Sequence, residues 1–328
     1  MDRFSCERLQ DALAAGGVAR QVVVHRQVAS RDNSAVFLGT AAGGSADRLA
    51  IKCCYLPGTN LPDEKTAEMQ YLALASVHSA LASVPTCFRV PVPEFFERKL
   101  AAYAMSWIDG QSMTELMRSC SSRTRLLHSI ERIGGWLGSF HAAGPIRHGL
   151  ARLSDQASEL DAMHKAPVDN RYFLEGVLLL RSENFGTASG MTSLSWLHGD
   201  CKTDNFLLTD SDVVVGIDVA IAYENAVEMD LAMFLNDLAL RLWTPAFARL
   251  AWAEAGLRNA FLKGYSVTGP PFDPALLQRL RLWSALGLWY NYVMVQKLGM
   301  VRRWYLNRCF SGLVRRLLKA ESISDRGR

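Results

Sequence analysis

No Cys-x-x-Cys pair occurs in this chain of 328 residues, and its seven cysteines (Cys6, Cys53, Cys54, Cys87, Cys120, Cys201, Cys309) are odd in number and scattered. Structural zinc needs thiols at close spacing and a disulfide framework needs an even set, so neither organises the fold. Reduced thiols fit a cytoplasmic location. Long hydrophobic runs are missing too. The longest, Leu282 to Val295, lies between Arg281 and Lys297 and is broken by Ser284 and Asn291. It is too short to span a bilayer and reads as a buried helix, so no integral membrane segment is expected. The opening MDRFSCERLQDALAA carries acidic residues and no unbroken apolar stretch, which excludes a signal peptide. There is no internal repeat and no low-complexity tract.

An excess of charge of one sign is lacking over the first two thirds. Residues 1–110 hold 11 Lys/Arg and 11 Asp/Glu, and residues 111–223 hold 10 and 13. Residues 224–328 hold 15 and 8, so an excess of seven positive charges in the final third outweighs −3 before it and leaves +4 overall. The apolar fraction of 49% and charged fraction of 21% are those of an ordinary globular protein. The length exceeds one ordinary core, so two lobes are expected.

The pattern along the chain changes from strands to helices. Gln21 to Ala29, Val36 to Thr40 and Leu49 to Tyr55 are β-rich, the first two joined by a loop from Ser30 to Ala35. Asp63 to Ser83 has helical spacing, with Met69, Leu72, Leu74, Val77 and Leu81 on its period. Glu94 to Glu97 and Ala101 to Trp107 complete an antiparallel sheet with one packed helix. Ile108-Asp109-Gly110 is a turn signal and the expected hinge, which splits the chain into an N-lobe of 1–107 and a C-lobe of 108–328. Helices are expected at Ser112 to Ser119, Arg123 to Ala143, Ser154 to Lys165, Asn170 to about Phe185, and over most of 228–319, with a frayed tail from Ser322.

The densest chemistry lies in SWLHGDCKTDNFLLTDSDVVVGIDVA, from Ser195 to Ala220. A turn beginning His198-Gly199-Asp200 leads to Lys202 and Asn205, and the strand Val213 to Ile217 then delivers Asp218. Taken alone, Asp200 is a cap or turn residue. The set at fixed offsets is what phosphoryl transfer from a nucleotide needs, with one carboxylate to orient a hydroxyl, and an Asn and an Asp to hold Mg²⁺.

These offsets match the protein-kinase catalytic loop H-R-D-x-K-x-x-N followed by a metal-binding Asp, with Gly199 in place of the Arg and no Phe-Gly after Asp218. That variant resembles the aminoglycoside phosphotransferase and choline kinase-like families, small-molecule kinases of the protein-kinase-like fold. Asp230-Leu231-Ala232 and Leu137 to Gly144 extend the resemblance, which in outline covers residues 20 to 265. It implies a bilobal α+β fold with nucleotide in the cleft. It also implies a transfer from ATP, with Mg²⁺, to a hydroxylated small-molecule acceptor.

The resemblance further assigns roles. Asp200 is the catalytic base, Lys202 meets the transferred group, and Asn205 and Asp218 are metal ligands. Lys52, in Leu49-Ala50-Ile51-Lys52, contacts the phosphates with Glu68 as its helix partner in preference to Glu64, and Ala50 roofs the adenine. Met105, Ser106 and Ile108 line the adenine site and Leu207 forms its floor. No glycine stands between Ser30 and Ala35, so Asn33 and Ser34 are the candidate phosphate donors. His198 anchors the loop. Asp230 supports it by accepting backbone hydrogen bonds, and a helix N-cap is an equally physical role for it. Cys201 does not read as a nucleophile.

The absent glycine loop and Asp-Phe-Gly argue against a protein kinase, and the presence of Asp200, Asn205 and Asp218 argues against a non-catalytic scaffold. The basic helix with Arg302, Arg303, Arg308, Arg315, Arg316 and Lys319 makes peripheral membrane contact conceivable, but packing against the C-lobe is the simpler reading, and no nucleic-acid partner is expected. The cationic final third points to a neutral or anionic acceptor rather than an aminoglycoside, unless Glu224, Glu228, Asp237 and Glu254 form a local acidic pocket.

Overall fold

The computed structural model describes residues 5–15, 22–41, 48–84, 87–151, 153–165, 170–182, 191–219, 224–296 and 298–324. Gln21, residues 183–185 at the end of an expected helix, Ala220, Lys297 and the tail 325–328 lie outside the described residues. In chain order the elements begin with α1 (Cys6–Ala15), β1 (Val22–Arg31), β2 (Ser34–Ala41), β3 (Arg48–Cys54) and α2 (Glu64–Leu81). Next come β4 (Phe88–Arg89), β5 (Pro93–Glu97), β6 (Ala102–Ser106), β7 (Gln111–Ser112), α3 (Met113–Ser119) and α4 (Arg123–Ala143). They continue with β8 (Arg147–Leu150), α5 (Ser154–His164), α6 (Arg171–Ser182), β9 (Met191–Trp196), β10 (Phe206–Leu208) and β11 (Val214–Gly216). The last are β12 (Glu224–Ala226), α7 (Glu228–Leu242), α8 (Glu254–Thr268), α9 (Pro274–Tyr290) and α10 (Met300–Ser324).

The chain divides into two compact units, Met1–Gln111 with Leu207–Ile221, and Ser112–Phe206 with Ala222–Arg328. The segment carrying Asp218 thus groups with the N-terminal unit, whereas the sequence placed everything beyond 107 in one lobe.

In the first unit the strand order is β1-β2-β3-β6-β5, antiparallel throughout. The central strand β3 is buried over nearly its whole length because it has neighbours on both edges and is covered on both faces. Helix α1, which the sequence did not reveal, sets Leu9 and Leu13 one turn apart, and both join Val22, Phe37, Ile51 and Tyr55 in one core. The side chain of Asp63 caps α2 by accepting from Thr66 N at 3.1 Å. Leu74, Val77 and Leu81 face inward as expected. Met69 and Leu72 do not: they are 52% and 56% exposed, and Ala67 and Ala73 take the inner positions. The small residues let the helix lie close to the sheet, where Tyr71 stacks on Phe96 at 5.8 Å.

The expected Ser30–Ala35 loop is not a loop. Arg31 pairs with Ser34, and only Asp32 and Asn33 form the turn. The extended pairing satisfies backbone groups that a longer loop would leave to solvent.

The second unit is mainly helical, with one small sheet in the order β12-β9-β8. Helices α4 and α8 pack backbone to backbone. A Cβ on Gly134 would stand 2.0 Å from Phe261 O, and one on Gly264 1.8 Å from Glu131 O, so both positions require glycine. The close approach brings together a run of rings: Trp136 to Phe206 at 5.3 Å, Phe206 to Phe234 at 5.7 Å, and Phe234 to Phe261 at 4.2 Å. The apolar run from Leu282 is a buried helix as expected, ending in a π turn at Asn291–Val295. The basic helix α10 buries Cys309, Phe310, Leu313, Val314 and Leu317 in the same unit. No helix among the described residues is long and apolar enough to cross a membrane.

Candidate active site

The first unit contains a cavity of about 290 Å³ lined by Ser34, Ala50, Lys52, Met105, Ser106, Ile108, Leu207 and Asp218, all of which the sequence singled out. Strand pairing sets their alignment: Ala50 lies opposite Met105 and Lys52 opposite Tyr103 across the β3–β6 ladder. The wall is largely aliphatic and suits a flat ring system, while the charged groups are Lys52, Asp218 and Arg31.

Lys52 Nζ donates to Asp218 Oδ1 at 2.9 Å. Burial alone would lower the ammonium pKa, but the fields of Tyr103 and Asp218 and this hydrogen bond hold it above its ordinary value. Asp218 itself has φ +57°, in the left-handed region that a non-glycine residue adopts at a cost of order 1 kcal/mol or more. Arg31 Nη1 is 3.8 Å from Asp218 Oδ2. The sequence reading looked in this stretch for amide and hydroxyl donors and passed over the arginine beside them.

Two expected members of this site are elsewhere. Glu68 does not pair with Lys52. It accepts from Arg98 Nη2 at 2.6 Å, and Glu64, one turn earlier, is 3.1 Å from Arg98 Nη1. The two glutamates share a helix face and the guanidinium, with its planar fork of donors, takes both. Asn33 does not line the cavity. It is exposed at the hairpin turn, its carbonyl accepts from Tyr55 N at 2.8 Å, and it lacks the positive φ that a glycine-like phosphate cradle would need.

In the second unit the His198–Asn205 loop is tied down from several sides. Asp230 is fully buried, and its Oδ2 and Oδ1 accept from the backbone of His198 at 2.5 Å and Gly199 at 3.1 Å. Its role as loop support is therefore the one observed. Asp230 is not the helix N-cap, since α7 begins at Glu228 after Val227. His141 Nε2 lies 3.1 Å from Asp230 Oδ2, and its Nδ1 is 3.0 Å from Tyr265 Oη. An ionised carboxylate only accepts, so Nε2 carries a proton and donates to Asp230. Burial opposes the charge on Asp230, but His141, His198 and the backbone N–H outweigh it and hold its pKa below the usual carboxylate range. His141 and Tyr265 escaped the sequence reading because nothing in their spacing joins them to residue 230.

Gly199 has φ +79°, which explains glycine at the position where the kinase pattern has arginine. His198 is buried among Trp136, Phe140 and Phe206, and its Nδ1 accepts from Asp200 N at 3.3 Å, as befits an anchor rather than a base. Asp200 is half-buried. Its Oδ2 accepts from Lys202 Nζ at 2.5 Å and from Asn205 Nδ2 at 2.9 Å, and Asn205 Nδ2 also donates to Asp200 O at 2.8 Å. With its nitrogen thus engaged, Asn205 presents its amide oxygen as the group left for a cation. Cys201 is fully buried, which pushes its thiol pKa well up and makes it inert.

Asp200 and Lys202 also line a second cavity of about 430 Å³, within this unit. The local acidic pocket that would have favoured a cationic acceptor does not form there. Of its four candidates only Asp237 lines the cavity, and it accepts from Thr203 N and Oγ1 and from Arg241 Nε. Glu228 is buried against Thr192 and Asp273 N, Glu254 pairs with Arg316, and Glu224 faces Arg147.

The donor set suits the group that the sequence implied. Carboxylate and amide oxygens are hard ligands of the kind Mg²⁺ takes, and Lys52 with Arg31 supplies positive charge beside an apolar cavity, as a nucleoside triphosphate requires.

Comparison with known proteins follows the same line. A family model described as the phosphotransferase enzyme family matches residues 24–280. Among solved structures, a choline/ethanolamine kinase family protein from Mesorhizobium loti is similar with a TM-score of 0.62 at 16% identity, covering 95% of this chain and 94% of that one. A glucosamine kinase in complex with glucosamine, ADP and inorganic phosphate gives 0.61 at 17%, covering 98% and 87%. An amicoumacin kinase in complex with AMP-PNP, Ca²⁺ and Ami gives 0.61 at 14%, covering 94% and 93%. At these identities the likeness establishes the fold. No curated protein matches the chain significantly.

Proposed function

Because the chain belongs to the phosphotransferase enzyme family, and so is a small-molecule kinase acting on an alcohol group, we propose that it transfers the γ-phosphoryl group of ATP, with Mg²⁺, to a hydroxyl of a small molecule. The observation that carries this reading is the Lys52–Asp218 pair lining an apolar cavity of about 290 Å³. A base bound there would lie between Ala50 and Leu207, with Met105, Ser106 and Ile108 along its edge. Lys52 and Arg31 would then meet the phosphates, with Ser34 as a further donor. Asp218 and Asn205 are the proposed metal ligands. Bound Mg²⁺ supplies neutralisation of charge on the phosphate oxygens.

Asp200 is the residue that orients the acceptor hydroxyl and takes its proton. Its Oδ2 is held by Lys202 and Asn205, which leaves Oδ1 to face the acceptor. Lys202 is the proposed contact of the phosphoryl group in transit. Catalysis on this reading comes from positioning and charge neutralisation rather than from a covalent intermediate. The amicoumacin kinase with AMP-PNP and Ca²⁺ supports the use of a nucleotide and a divalent cation.

The test is to incubate the purified chain with γ-labelled ATP and Mg²⁺ against amino alcohols, sugars, nucleosides, hydroxy acids and hydroxylated antibiotics. Transfer of label to an acceptor hydroxyl is expected. A chain that binds no ATP and labels no acceptor would overturn the reading.

A further inference from the structure

The geometry points to an acceptor with an apolar body and one anionic group, and to Arg302 as the residue that reads the anion. This inference rests on the phosphotransferase reading above, since it concerns the cavity on whose wall Asp200 stands.

Five charged side chains line that cavity: Asp200, Asp237, Lys202, Arg241 and Arg302. Four of them are matched. Lys202 pairs with Asp200 at 2.5 Å, and Arg241 Nε with Asp237 Oδ2 at 2.9 Å, with Asp204 on the far side of the same guanidinium. Arg302, near the start of α10, has no carboxylate within ion-pair distance among the described residues. Among the side chains that line the cavity one positive charge is in excess; Asp204 behind Arg241 balances the wider cluster, and Arg302 is the cation left without a carboxylate partner.

Apart from the hydroxyls of Thr244 and Ser284, the rest of the wall is apolar or aromatic, with Leu240, Leu288, Leu306 and Phe310 contributing aliphatic and ring surface and Tyr292 and Tyr305 a phenol each. A polyhydroxylated polycation gains little from such a surface. To pair its ammonium groups it would have to compete for Asp237, whose Oδ2 already accepts three hydrogen bonds, two from Thr203 and one from Arg241. It would also bring like charge to Arg302. An alcohol on an apolar frame, bearing a carboxylate or phosphate, meets every part of the cavity. Its hydroxyl goes to Asp200, its frame to the leucines and rings, and its anion to Arg302, for which a guanidinium is the preferred partner.

Three matched probes separate charge from shape: para-hydroxymethylbenzoate, para-hydroxymethylbenzamide and para-hydroxymethylbenzylamine. Their affinities are measured by ligand-observed NMR against the full chain with AMP-PNP and Mg²⁺, and their phosphorylation by ADP release. The anion is expected to bind ~10-fold or more tighter than the ammonium probe, with the amide between them. Arg302→Gln should bring the ratio of anion to cation close to one, and Arg302→Lys should keep part of it. AMP-PNP affinity should not move in either variant, because Arg302 does not line the nucleotide cavity. The inference is overturned if the ammonium probe binds as well as the carboxylate, if Arg302→Gln leaves the ratio unchanged, or if no probe binds while AMP-PNP does. Failure of AMP-PNP to bind would instead remove the phosphotransferase reading and this inference with it.

Discussion

Lys52 and Asp218 hold one another at 2.9 Å across 166 residues of chain. Each is the other's counter-ion, and on the proposed mechanism each has a second use: the ammonium for a phosphate and the carboxylate for a metal. Binding of a metal–nucleotide would exchange one buried pairing for two, without leaving either charge uncompensated.

Asp218→Asn keeps the shape and removes the charge. On the proposed mechanism, Mg²⁺ should no longer tighten ATP binding in this variant. Isothermal titration of ATP with and without Mg²⁺ measures the difference directly. Unchanged metal dependence would place the ligands elsewhere.

Glu68 is occupied by Arg98, so it should matter little for turnover. Glu68→Gln is expected to change kcat/KM by less than ~3-fold, in line with a half-exposed surface pair. Lys52→Met should lower it by ~10²-fold or more. A large effect of Glu68→Gln in steady-state kinetics would mean that Glu68 leaves Arg98 for Lys52 during the cycle.

Asp200→Asn should cut kcat by ~10²-fold or more and leave ATP affinity within a few-fold, since Asp200 lines the second cavity and not the first. Near-normal transfer by this variant would remove Asp200 from its role.

Asp230 sets an acid limit on stability. Its folded-state pKa is depressed, so its contribution is fully present above the unfolded carboxyl pKa of about 4 and is lost as pH falls through the folded value. Asp230→Asn should cost ~2–4 kcal/mol at neutral pH, because the acceptor for two backbone donors and His141 is weakened in a buried site. Denaturant unfolding as a function of pH checks this: the gap between wild type and variant should shrink below about pH 4. A gap that is constant with pH would mean that packing, not charge, is lost.

The elements that follow from local pattern were legible. The five strands of the first sheet, α4 from Arg123 to Ala143, and the cluster of His198, Asp200, Lys202 and Asn205 occupy the places their spacing indicated. Helix α1 was overlooked because its two core leucines, four residues apart, are a weak signal in a ten-residue segment. The stretch Ser30 to Ala35 was misread because polar side chains suggested a loop, whereas an exposed hairpin turn tolerates them equally well.

By itself, the sequence determined the chemistry of the catalytic segment. The residues that carry it lie within one short stretch, so a turn and a short helical turn suffice to bring their side chains together. Only the tertiary structure decided the pairings made over long distances in the chain. Lys52 had two helix glutamates and a strand-end aspartate within plausible reach, and the position of Arg98, which pairs with both glutamates, settled the choice. In the same way, the charge of the acceptor-side cavity does not follow from the count of charges in residues 224–328. It follows from which carboxylates are already spent on neighbouring arginines and hydroxyls, and folding alone determines that because ion pairing depends on separation in space, not along the chain.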